Sequence, residues 1–131
     1  MKKTWYLAGL AALFGGTALA ADPTGNWLVK DRTAIIRVAP CGGAYCGTIA
    51  WTSQPGLDEN NPDPSKRNHP IVGTQILLAM KPAGDRWEGQ IYNPENGKTY
   101  SGHINLVSPD VLRVEGCLLV FCGGENWTRT K

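Results

Sequence analysis

Beyond residue 21 the chain alternates apolar and polar positions in short stretches, and each stretch gathers its apolar residues on one face. Ala34, Ile36 and Val38 share a face in TAIIRVA, Ile49 and Trp51 in GTIAW, and Ile76, Leu78 and Met80 in QILLAMK. Trp87 and Ile91 do so in RWEGQIY, Tyr100, Ile104 and Leu106 in TYSGHINL, and Leu112 and Val114 in VLRVEG. A period of two with one apolar side predicts half-buried β-strands. NWLVK near 26–30 and NWTRT at 126–130 bring the number to eight.

Turn chemistry separates these stretches: CGG at 41–43 and 122–124, KPAGD at 81–85, NPENG at 93–97 and SPD at 108–110. Short strands punctuated this often predict an antiparallel all-β domain. No stretch holds a 3.6-residue period for two turns, so helices are expected to be short or absent. Eight strands can close on themselves, which removes the edges that invite aggregation. The expected fold is an eight-stranded antiparallel up-and-down barrel, whose interior is either filled by side chains or holds one small ligand. The one long irregular segment, 52–70, carries Pro55, Pro62, Pro64 and Pro70. Loops of that length in a compact domain are usually functional or mobile.

The first twenty residues differ from the rest. Lys2 and Lys3 precede an apolar run from Trp5 to about Phe14 and a small-residue stretch ending Ala18-Leu19-Ala20, the layout of a secretory signal peptide. Residues 1–20 are therefore expected to be a cleaved leader and 21–131 a single domain, with a periplasmic location and no membrane span. Removing Lys2 and Lys3 from the 13 Lys and Arg leaves 11, against 11 Asp and Glu. A near-neutral chain lacks the basic stripe that a nucleic-acid partner requires. The domain is expected to be a monomer.

Four cysteines in an exported chain point to disulfides. The twin spacing of Cys41 to Cys46 and Cys117 to Cys122 also suits a four-thiolate zinc site, but the oxidising compartment weighs against it, and no metal or other cofactor is expected. In an up-and-down barrel the first pair lies at one end and the second at the other. Bridged Cα atoms lie within about 7 Å, so the expected bridges are local, 41 to 46 and 117 to 122.

The same alternation collects the long segment, the NPENG turn and the last hairpin loop at one mouth. Asp58, Asn60, Asp63, Arg67 and Asn93 are the polar candidates there, with Trp51, Trp87 and Tyr100 as aromatic ones that would line a cavity. DENNPD, 58–63, begins like a calcium loop, but Pro62 and Asp63 stand where an oxygen ligand and a glycine belong, which excludes an EF-hand. Ser101 and His103 share an outward face, yet nothing in sequence orients the imidazole, so catalysis is not expected there.

Two resemblances add to this. Gly25-Asn26-Trp27 near the start and Trp127-Thr128-Arg129 near the end resemble the lipocalin (calycin-type) pattern, in which a basic side chain of the last strand covers the Trp of the first. APCGGAYCG, LDENNPDPSKRNHPIVG, WEGQIYNPENGKTY and the final cysteine hairpin with WTR are similar to the bacterial family called domain of unknown function 2147. That resemblance implies small exported proteins with a lipocalin-like barrel, barrel closure through Gly25, Trp27 and Arg129, and no catalytic residues to transfer. The expected function is a non-enzymatic binding module for a small apolar molecule or an envelope component. The alternative is a structural or protein-interaction role through the 52–70 loop, with hydrolysis less favoured.

Overall fold

The computed structural model describes residues 22–131, so the expected leader lies outside the described residues. The eight predicted segments are eight strands: β1 Gly25–Leu28, β2 Ala34–Cys41, β3 Ala44–Thr52, β4 Gln75–Ala83, β5 Arg86–Asn93, β6 Lys98–Ser108, β7 Val111–Leu118 and β8 Phe121–Thr130. Each pairs antiparallel with the next, and β1 pairs with β8, closing an up-and-down barrel. Helix among the described residues amounts to one 3-10 turn, Pro64–Lys66.

Closure is brief and reinforced. Asn26, Trp27 and Leu28 pair with Thr130, Arg129 and Thr128. The Arg129 guanidinium lies 4.4 Å from the centroid of the Trp27 ring. Its Nη1 donates to the Thr24 carbonyl at 2.7 Å, and its Nε to the Pro109 carbonyl at 3.0 Å. One side chain therefore joins the entering segment, the β6–β7 turn and the last strand, while its charge faces the indole. Gly25 belongs to the same device. Its φ is +140°, and a Cβ there would stand 2.5 Å from Arg129 Nη1, so a larger residue would push the cation off the ring.

The interior is filled by Trp27, Ile36, Val38, Leu77, Met80, Ile104 and Leu112, each 1% exposed or less. A row of glycines, Gly89, Gly102, Gly116 and Gly123, runs in register across β5 to β8. At Gly102 a neighbouring side chain takes up the room, with Ile91 Cδ1 2.5 Å from the position a Cβ would occupy, and at Gly89 the β4 backbone does, whereas Gly123 faces open space.

Two irregularities correct the alternation expected from sequence. Ile36 pairs with Ile49 but Ile35 pairs with Trp51, so β3 carries one extra residue, and Trp51 turns outward, 44% exposed, instead of sharing the inner face with Ile49. In β4 the pairing shifts between Leu78 and Lys81, with Ala79 at φ +50°, so Leu77 joins Ile76 and Met80 among the buried residues and Leu78 is only half-buried. A bulge adds a residue to one strand only and reverses which face the following positions occupy.

Both disulfides are local, as the barrel requires: Cys41–Cys46 bridges β2 and β3, and Cys117–Cys122 bridges β7 and β8 at the other end. Trp27→Ala is expected to lower unfolding free energy by about 3–5 kcal/mol, as large core deletions do, measured by chemical denaturation. Reducing both bridges should remove about 2 kcal/mol each while leaving the far-ultraviolet β signal in place, because each closes a short loop.

Candidate functional site

The β3–β4 connection, 53–74, is an ordered lobe. Its neck is tied by the Ile71 amide donating to the Gly56 carbonyl at 2.8 Å and the Asp58 amide donating to the His69 carbonyl at 2.9 Å. Asp63 caps the 3-10 turn, its carboxylate accepting from the Ser65 hydroxyl at 2.8 Å and the Ser65 amide at 3.0 Å. Those bonds hold its carboxyl below the usual carboxylate range. Arg67 Nε donates to the Asn61 carbonyl at 2.7 Å. Asn60 Nδ2 reaches out of the lobe to the Glu95 carbonyl at 2.9 Å, fastening it to the β5–β6 turn.

At the centre of the lobe lies Asp58, 2% exposed. Tyr92 Oη donates to Asp58 Oδ1 at 2.8 Å, and Asn61 Nδ2 donates to Oδ2 at 2.8 Å. Both carboxylate oxygens are thus partnered, which a buried charge needs. Burial first, then the bond to Asp58, pushes the Tyr92 phenol up to about 12. Leu77 and Ile91 face each other across the ladder and turn inward. Their neighbours Leu78 and Tyr92 therefore point to the outer face of the barrel, where the lobe covers them.

Between lobe and outer wall runs a cleft of about 620 Å³, in which Pro62, Val72 and Leu78 supply apolar walls and Asp58, Lys66 and His69 polar ones. A second cavity, about 380 Å³, opens at the mouth between Ile49, Ile71, Thr52 and Glu95. Both volumes fall in the range of small-molecule sites.

Of the residues singled out from sequence, Asp58 alone lines the larger cleft. Asn60 and Asp63 shape or anchor the lobe, as does Arg67, and Asn93 organises the β5–β6 turn through its Oδ1, which accepts from the Glu95 amide at 2.9 Å. Trp51 lies outside the barrel, for the reason given above. Trp87 faces inward, but it pairs with Pro82 beside the β4–β5 turn, so it belongs to the end opposite the mouth. There it packs edge-on against Tyr45, with centroids 5.9 Å apart. Tyr100 is half-buried near the mouth, its hydroxyl accepting from Asn96 Nδ2 at 2.9 Å. The expected mouth is thus divided between two poles.

Tyr92 is the residue sequence reasoning missed, together with Leu78 as a cleft residue. The signal was present: an aromatic on the solvent face of a strand, following Glu88 and Gln90, calls for a cover. His103 needs a correction too. Its Nε2 lies 3.0 Å from Glu115 Oε1, and Arg113 Nε donates to Glu115 Oε2 at 2.9 Å, so the imidazole does have an acidic partner. The Arg113 bond holds the Glu115 carboxyl below the usual range. Neither cavity is lined by Ser101 or His103.

The family described as uncharacterised proteins conserved in bacteria (DUF2147) matches residues 25–129. The chain belongs to this family. Among solved structures it is similar to one described as "Protein HP1028 from the human pathogen Helicobacter pylori belongs to the lipocalin family". That likeness covers 86% of this chain and 85% of the other, with 18% identity and a TM-score of 0.76. At such identity the similarity establishes the lipocalin-like fold alone. Comparison with curated proteins finds no match.

Titration of Tyr92 should be visible in the lobe. A phenol raised from 10.0 to about 12 on folding favours the native state fully below pH 10, and that contribution is lost as pH rises through about 12. Amide exchange at Asp58 and Ile71 is expected to accelerate across that window. Tyr92→Phe should abolish the pH-dependent part and, by leaving Asp58 Oδ1 unpartnered, destabilise the lobe by about 1–3 kcal/mol at neutral pH.

Proposed function

We propose that this DUF2147 protein is a non-enzymatic, exported binding module that holds a small molecule in the cleft between the 53–74 lobe and the outer wall, not in the barrel axis. The observation that carries this is the cleft of about 620 Å³, larger than the cavity at the mouth and fixed by the buried Asp58–Tyr92 bond, beside a barrel core packed by Trp27, Leu77 and Met80. A site whose walls are held before binding avoids the ordering cost of assembling them. Pro62, Val72 and Leu78 suit an apolar body, while Lys66 and His69 suit a polar or anionic end. Support for export comes from the two disulfides, which persist in oxidising compartments. Support for a non-catalytic role comes from the placement of the His103–Glu115 pair on the wall, away from both cavities.

A protein-interaction role for the lobe has one observation of its own: Leu57 is 46% exposed on it. Native mass spectrometry of protein purified from the envelope is expected to show retained non-protein mass. Val72→Trp, which crowds the cleft from an exposed position, should abolish that mass and weaken rebinding of the eluted compound by on the order of tenfold. Retention unaffected by Val72→Trp would remove the cleft as the site. A bare mass together with co-purifying protein would favour the interaction role.

A further inference from the structure

The last hairpin ends in four consecutive apolar residues, Leu118, Leu119, Val120 and Phe121, exposed by 66%, 90%, 86% and 77%. From Gly116 to Gly124 the chain carries no charge. Leu118 pairs with Phe121, and Cys117 with Cys122, so Leu119 and Val120 form the apex of a two-residue turn. Phe121 and its neighbours at the start of β8 have no partner in β1, whose ladder begins at Thr128. The hairpin is thus free on that side.

We propose that this finger inserts into the surface of a phospholipid bilayer and docks the loop-bearing end of the barrel against it. Two features favour lipid over a protein groove, and two more mark the finger as functional and preformed. Successive strand residues face opposite sides, so the finger is apolar on both faces and at its apex. A groove contacts one face and leaves the other in water, whereas an acyl layer meets every side. Leu119 stands at φ +59°, a backbone region that glycine occupies at Gly42, Gly43, Gly84 and Gly97 and that, among the described residues, only Arg32 and Ala79 share with it outside glycine. An apolar side chain is kept there against both backbone preference and water, and such strained positions cluster at functional sites. The Cys117–Cys122 bridge directly behind the apex holds the finger in shape, so docking orders nothing new.

Finally, Trp51, Leu57 and Val72, each more than 40% exposed, lie at this same end, while among the described residues Val107 is the one strongly exposed large apolar residue at the other. An exposed indole suits headgroup depth. The turn amides at the apex would be unpaired in hydrocarbon, which limits the finger to shallow insertion. Because the finger is uncharged, its docking is driven by apolar burial and not by anionic lipid.

The test is vesicle flotation of the disulfide-bonded protein with pure phosphatidylcholine and with a phosphatidylcholine–phosphatidylglycerol mixture. The protein is expected to float with both, and raising salt should change partitioning by no more than about twofold. L119E/V120E, an exposed pair whose folding is checked by circular dichroism, should partition on the order of tenfold more weakly. Leu119→Asn separates docking from folding: Asn tolerates positive φ, so the melt should hold or rise while partitioning falls several-fold. The proposal is overturned by wild-type protein that stays with the lipid-free fraction, by equal flotation of the charged variant, or by binding confined to anionic vesicles and lost in salt. A concentration-dependent dimer that L119E/V120E dissolves, with no flotation, would equally overturn it and assign the finger to a second copy.

Discussion

A guanidinium 4.4 Å above an indole does what the short β1–β8 ladder cannot do alone. Three residue pairs close the ring, and such a seam is weak by itself. Arg129 adds bonds to carbonyls on two other segments and lays its charge on the ring face that β1 brings to the barrel's end. Gly25 leaves the space, Trp27 supplies the surface and the Pro23 carbonyl accepts the indole proton. Every layer above rests on that floor: with the ring closed, the apolar residues of eight strands can face one another instead of water.

Packing of the barrel floor sets where binding chemistry can sit. Trp27, Ile36, Leu77, Met80, Ile104 and Leu112 close the axis below the mouth, so the useful space lies at the mouth and at the periphery, where a lobe stands off from the wall. The lobe holds its distance through a carboxylate that is buried, forms no ion pair among the described residues and is satisfied by a phenol and an amide. Such a bond costs little when made and much when broken, because the orphaned group remains buried. A cleft defined in this way is stiff, and its volume belongs to the native state.

Alternation along the chain made the eight strands and the local disulfides legible, because side-chain period and chain connectivity are both local properties. Faces were misjudged where one residue is inserted. The extra position in β3 sends Trp51 outward, and the one at Ala79 exchanges Leu78 for Leu77, and neither leaves a mark on a period-two pattern. Partners set by register were equally hidden: Glu115 meets His103 only because β6 and β7 pair in one particular phase. Asp58 was identified as a candidate, but its mate Tyr92 stood on the face that alternation assigns to water. Charge and amide content located the lobe, while its role as a cover required knowing which strand it crosses.

Thr24 and Thr130 leave the barrel at the same pole, beneath the arginine that roofs it, because an even number of strands returns the chain to its starting side. Among the described residues, the rim that bears the lobe and the bare finger is therefore away from the points where the chain enters and leaves the barrel. Substitutions and insertions there need not disturb the floor, and a permuted chain, its old ends joined by a short linker, could begin at the rim with the ring intact. One pole is thereby left to stability, and the other is open to variation.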